Sequence, residues 1–128
     1  MVLMIDDDDD TLEIYRLLIE KTPYVDNFVT KNNPYQALTW LKERSSDPNL
    51  FPRYILLDIN MPELNGIEFL RIFEKEINYQ QLNTKVIVLT SSVREKDQRE
   101  ALQQPSVSDF ISKPLSKNKL MEFLSSEL

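Results

Sequence analysis

The sequence contains neither histidine nor cysteine. The first absence removes the commonest general base and the commonest transition-metal ligand. The second removes disulfides, thiol nucleophiles and thiolate metal sites. Ser-His, Cys-His and zinc chemistry are therefore excluded by composition, which leaves carboxylate and lysine chemistry. Basic charge is also scarce, with 15 Lys and Arg against 21 Asp and Glu and a net charge of −6. A duplex-binding surface needs clustered cations to displace counterions, so no direct nucleic-acid contact is expected. Long apolar runs are missing as well: the longest, such as Met1 to Ile5, fall far short of the ~20 residues a membrane helix requires. No signal-peptide pattern is present, and the expectation is a cytoplasmic protein without a membrane partner. A chain of 128 residues is expected to form one domain that buries roughly two-thirds of its unfolded surface.

What is present begins with MVLMIDDDDDTLEIY, an apolar run that meets five aspartates. Blocks of like charge usually stay solvated and repel one another. These, however, lie between an apolar stretch, Val2 to Ile5, and a helical stripe of Leu12, Ile14, Tyr15, Leu17, Leu18 and Ile19. The aspartates thus fall at a strand-to-helix junction. Alternation continues along the chain. A β-prone stretch spans Val25 to Thr30, and Asn33-Pro34 opens a helix that points Ala37, Leu38 and Leu41 inward. Ser45 to Arg53 reads as a loop before a third strand, Tyr54 to Leu57, which ends on Asp58. Asn65-Gly66 starts a helix with Ile67, Leu70, Phe73 and Ile77 on one face, and Val86 to Leu89 form a fourth strand ending on Thr90. A weaker helix follows from Arg94 to Gln104, anchored by Val93, Ala101 and Leu102. A fifth strand lies around Val107 to Ile111, and Ser116 caps a last helix bearing Leu120, Phe123, Leu124 and Leu128. Strands that are apolar throughout imply a parallel sheet covered on both faces by helices.

In a doubly wound sheet, ligands bind beyond the carboxyl ends of the strands. The residues delivered there are Asp6-Asp7, Asp58, Thr90-Ser91-Ser92 and Ser112-Lys113-Pro114. Three carboxylates in one pocket repel, so either one takes up a proton or a cation joins them. Oxygen ligands without nitrogen or sulfur select Mg²⁺ or Mn²⁺. A divalent ion, a lysine and a hydroxyl together suit a phosphoryl group, with a carboxylate as acceptor. Negative charge is also favoured at a helix N-terminus, so Asp6 and Asp7 are expected in the pocket and Asp8 to Asp10 at the helix start.

The strings LMIDDD, LLDINMPELNGIEFL, VIVLTSS and DFISKP, in this order and near these spacings, resemble the receiver domain of bacterial two-component response regulators across essentially the whole chain. The resemblance implies a flavodoxin-like α/β fold with a five-stranded parallel sheet in the order 2-1-3-4-5, residues 1–128 forming one receiver domain with no output domain. It implies a phosphorylation-controlled switch, not an enzyme. Asp58 would accept a phosphoryl group from a phosphohistidine on a sensor kinase or a histidine phosphotransfer protein. Asp7 and Asp58 would ligate Mg²⁺ directly, Asp6 through water, and the Asn60 backbone carbonyl would supply a further oxygen. Lys113 would pair with phosphoryl oxygens and Thr90 would move to bond one of them. Phe110 would then turn inward and change the face made by the fourth helix, fifth strand and fifth helix, where a downstream effector or a second copy would dock.

Taken singly, these residues have plainer readings: Thr90 as a turn residue, Phe110 as core, Lys113 with Lys117 and Lys119 as a solvated face, Trp40 and Tyr35 as helix packing or surface. Pro62 and Gly66 would ordinarily be punctuation, yet Gly66 is the only glycine and lies eight residues past Asp58, where the family also has one. Departures from the family's pattern are Ser106 in place of a glycine before the fifth strand, and longer connections at Ser45 to Arg53 and Asn78 to Lys85. The resemblance also implies a cis Lys113-Pro114 bond. Other readings of the chain are a phosphorelay intermediate, a pseudo-receiver interaction module and, more distantly, a Mg²⁺-dependent aspartyl-phosphate phosphohydrolase.

Overall fold

The computed structural model describes residues 1–23, 27–91, 95–113 and 116–125, excluding the side chains of 117 and 123–125. Five strands, β1 (Val2–Ile5), β2 (Phe28–Lys31), β3 (Tyr54–Asp58), β4 (Lys85–Thr90) and β5 (Val107–Ser112), alternate with five helices. These are α1 (Asp9–Glu20), α2 (Pro34–Arg44), α3 (Gly66–Glu76), α4 (Glu95–Gln103) and α5 (Lys117–Ser125). The strands form one parallel sheet in the order β2-β1-β3-β4-β5, the expected arrangement.

Successive strand residues point to opposite faces, and the buried residues divide accordingly. Leu3, Ile5, Ile55, Leu57, Val86 and Val88 pack with Ala37, Leu38 and Leu41 of α2, Phe69, Leu70 and Phe73 of α3 and Ala101 of α4. On the other face Val2, Met4, Tyr54, Leu56, Ile87 and Leu89 meet Leu12, Tyr15 and Ile19 of α1 and Leu120 of α5. Both sides of β1, β3 and β4 are thereby dry, which is why their sequences are apolar throughout.

The starts of α1, α2, α3 and α5 are each fixed by a short polar side chain that takes up an otherwise unpaired N–H. Asp8 accepts from the Asp10 amide at 3.1 Å, Asn33 from the Tyr35 and Gln36 amides, and Asn65 from the Glu68 amide at 2.9 Å. Ser116 accepts from the Lys119 amide at the start of α5.

Several expectations shift. In α1, Ile14 and Leu17 are 59% and 53% exposed, so the buried stripe is narrower than the apolar one; α1 packs along one side only. Leu102 of α4 is likewise exposed and leaves Ala101 as that helix's buried residue, with Val93 outside the described residues. The second strand begins at Phe28 and runs to Lys31, and Val25 lies outside the described residues, as do Ser92, Pro114 with its peptide bond, and the side chains of Phe123, Leu124 and Leu128. The Ser45 to Arg53 connection holds a short 3₁₀ turn, Pro48–Leu50, capped by Asp47. Trp40 is half-buried on α2, as expected of packing or surface, and the Arg44 guanidinium stacks 4.2 Å from its ring centroid.

Two residues tie the loops near the site to the sheet. A Cβ added at Gly66 would lie 2.6 Å from the Ile59 Cα, and the Gly66 N–H donates to the Ile59 carbonyl at 2.8 Å. Only a residue without a side chain lets α3 seat this close to the segment following Asp58. Ser106, the residue standing where a glycine is usual, is buried and donates both its amide (2.9 Å) and its hydroxyl (2.5 Å) to Glu74 Oε2 of α3.

Gly66→Ala is expected to lower unfolding stability by about 1–3 kcal/mol, the range for forcing extra carbon into a packed contact, as read by urea denaturation. Ser106→Gly removes one hydrogen bond to a charged acceptor and frees the backbone, so a loss of about 1.5–3 kcal/mol is expected in the same assay.

Candidate phosphoacceptor and metal site

Strand register brings the acidic residues together. Ile5 of β1 pairs with Leu57 of β3, so Asp6 stands level with Asp58. Asp6 also continues the side-chain alternation of Val2 and Met4, and Asp58 that of Tyr54 and Leu56, which places both on the face covered by α1. Asp58 pairs in turn with Leu89, so Thr90 sits one residue further along, opposite Ser112. Lys113 follows Ser112, and its backbone N–H donates to the Thr90 carbonyl at 2.8 Å. Four chain segments distant in sequence thus converge at the carboxyl edge.

Asp6 and Asp58 are buried, and Asp7 is exposed at the mouth. One carboxylate oxygen from each lies within 4.8 Å of the others, the arrangement needed to share a cation. The donor set is all oxygen and carries three charges, which fits a hard divalent ion.

Lys113 is the counter-charge within the protein. Its Nζ lies 2.6 Å from Asp6 Oδ2 and 3.7 Å from Asp58 Oδ2, with the side chain largely buried. Burial alone would lower the ammonium's proton affinity. The hydrogen bond to Asp6 and the charges of Asp58 and Asp6 outweigh it, so Lys113 is raised above its ordinary value. Lys113 is therefore not part of a solvated face, as its neighbours in sequence suggested; the strand end turns it into the acidic pocket. Asp58 is shifted upward, chiefly by burial and further by Asp6 and Asp7, against the lowering effects of the Asn60 amide and Lys113.

The other expected residues occupy graded positions. Thr90 is fully buried at the end of β4. Phe110, two residues before Ser112 in β5, is half-buried against the core and stands opposite Val88. Asn60 is exposed; its amide donates to Asp58 Oδ1 at 3.1 Å and its side-chain Nδ2 donates to Thr90 Oγ1 at 2.9 Å. The aspartate run divides as expected. Asp6 Oδ1 accepts from the Asp8 amide, while Asp8 caps α1, its carboxylate lowered by the Thr11 hydroxyl and the Asp10 amide.

Contacts that the sequence pattern did not reveal surround this core. Asn32 Nδ2 donates to Asp9 Oδ1 at 3.0 Å and Asn33 Nδ2 to Glu63 Oε2 at 2.6 Å, so the β2-α2 loop braces the loops carrying Asp7 and Asn60. The Asn60 side-chain contact was equally hidden. Its one sequence signal is an asparagine two residues beyond a strand-terminal aspartate.

Comparison with known proteins agrees with this geometry. A family model described as response regulator receiver domain matches residues 2–125. The structure of a two-component response regulator from Cytophaga hutchinsonii superposes with a TM-score of 0.87 at 31% identity, covering 98% of this chain and 93% of that one. The polar-differentiation response regulator DivK of Brucella anthropi is 27% identical over 127 residues, covering 99% of this chain and 94% of its own. A protein-glutamate methylesterase/protein-glutamine glutaminase of Saccharophagus degradans is 32% identical over 115 residues, yet the match spans only 30% of that protein's length. With the sheet order, the acidic edge and a match running through all five strands, the chain belongs to the response regulator receiver domain family.

Proposed function

We propose that residues 1–128 work as a phosphorylation-controlled switch whose acceptor is Asp58. The observation that carries this reading is the set of carboxylate oxygens from Asp6, Asp7 and Asp58 within 4.8 Å, with Lys113 Nζ 3.7 Å from Asp58 Oδ2. A pocket of that kind neutralises charge and positions groups, which is most of what phosphoryl transfer requires.

In this reading an Asp58 carboxylate oxygen attacks the phosphorus of a phosphohistidine on a partner kinase or phosphotransfer protein. The new O–P bond forms as the P–N bond breaks, and the electron pair returns to the imidazole. Asp7 and Asp58 would hold Mg²⁺ or Mn²⁺ directly, Asp6 through water, with the Asn60 carbonyl as a further ligand. When bound, such an ion supplies charge neutralisation between carboxylates and phosphoryl oxygens. Lys113 is drawn to the phosphoryl group by charge and Thr90 by hydrogen bonding, and Phe110 follows to alter the α4-β5-α5 face for an effector or a second copy. The buried support of α4 among its described side chains is Ala101, which suits it to movement. Reversing a mostly resting population takes roughly 3–5 kcal/mol, within reach of a few charge-assisted hydrogen bonds.

Incubation with acetyl phosphate and Mg²⁺ is expected to add one hydroxylamine-labile phosphoryl group, detected by intact-mass spectrometry. The adduct should disappear with EDTA and in Asp58→Ala; a group still acquired by Asp58→Ala would assign the acceptor to another residue.

Without metal, Asp58→Asn is expected to raise the thermal midpoint at pH 7, because the charged carboxylate is the form that burial and Asp6 disfavour. The sign follows from the upward shift: the cost exists above the folded-state pKa and vanishes below the unfolded value of 3.8. Melting curves of both proteins in EDTA from pH 7 to pH 4 should therefore converge.

A further inference from the structure

Asn60 contacts the two reacting sides of the site at once. Its backbone N–H holds Asp58 Oδ1, while its side-chain amide donates to Thr90 Oγ1 across the gap between the ends of β3 and β4. Thr90 has no solvent-exposed surface, so protein groups set the direction of its hydroxyl. Threonine is also stiff at χ1 because two heavy atoms branch from Cβ. Swinging Oγ1 to another rotamer away from Asn60 therefore gives up the 2.9 Å bond from Asn60 Nδ2. The exposed Asn60 side chain packs no core, which separates this contact from fold stability.

We propose that the Asn60 side chain is a latch that holds the Thr90 hydroxyl in the resting arrangement, so that phosphorylation at Asp58 must break the Asn60–Thr90 hydrogen bond before Thr90 can serve the phosphoryl group. The inference rests on the proposed acceptor role of Asp58. Asn60 is a positioning residue, acting on the switch through Thr90. A neutral amide-to-hydroxyl bond is the weaker partner in this competition. A bond from Thr90 to a charged phosphoryl oxygen is about twice as strong, so the latch yields to phosphorylation and otherwise holds.

The test compares wild type, Asn60→Ala and Asn60→Leu, each alone and combined with Thr90→Val; every variant keeps the backbone N–H that binds Asp58. NMR coupling constants report the Thr90 χ1 distribution, and relaxation dispersion at the Thr90 and Phe110 amides reports the minor-state population in unphosphorylated protein with Mg²⁺. Losing one neutral hydrogen bond is worth about a two- to tenfold change in such an equilibrium. Both single variants should show mixed Thr90 rotamers and a minor state raised by that factor, and Asn60→Ala should have no further effect once Thr90 is valine. The Leu variant, close in shape but without a donor, separates loss of the bond from loss of bulk. An unchanged rotamer and population in both variants overturns the latch, and so does a fall in the minor state, which would make the amide an aid to Thr90. Adding acetyl phosphate to the same samples keeps the two readings apart. No adduct on Asp58 in wild type removes the phosphoacceptor reading, whereas an adduct with unaltered Thr90 behaviour in the variants removes only the latch.

Discussion

Repulsion among Asp6, Asp7 and Asp58, held in check by Lys113, is the constraint around which this molecule is organised. Two of these carboxylates are buried, and burying like charges together is costly unless an opposite charge joins them. Lys113 meets that need at 2.6 Å from Asp6 and is itself held charged by the arrangement. Among the described residues the balance leaves the pocket short of positive charge, since one ammonium faces three carboxylates. The all-oxygen donor set is one that a divalent ion could join, and such an ion would supply the missing positive charge.

The surrounding framework keeps these groups at fixed distances. Gly66 lets α3 press on Ile59, Ser106 ties the strand after α4 to Glu74, and Asn32 and Asn33 brace the two neighbouring loops. In contrast, α4 is held by little more than Ala101 among its described side chains, and Leu102 is turned to solvent. An acidic edge braced by these contacts beside a helix with so little buried support is the arrangement that the proposed switch would need, since a chemical change at one place must bias packing at another.

Local pattern determined much of this. Apolar strands ending in Asp58 and Thr90 and caps at Asn33 and Asn65 were legible because strand burial and helix N-termini each demand particular residue types nearby in the chain; Gly66 stood out only through the resemblance, and its close approach to Ile59 is a tertiary fact. The parallel sheet and the gathering of acidic residues at one edge followed from alternation together with the tendency of parallel sheets to bind at their carboxyl ends, whereas the strand order came from the family resemblance. Ile14, Leu17 and Leu102 misled for the converse reason: periodicity marks an apolar side of a helix but not how far a neighbour extends to cover it.

The sequence by itself thus determined the element types, the parallel sheet and the identity of the acidic, hydroxyl and lysine residues at its edge, because those depend on local propensity and on period. Only the tertiary structure decided that Lys113 turns inward to Asp6, that Ser106 is bound by Glu74, and that Asn60 spans Asp58 and Thr90. These pairs lie 30 to 107 residues apart. Their meeting depends on strand register and helix packing, which no stretch of either partner encodes alone.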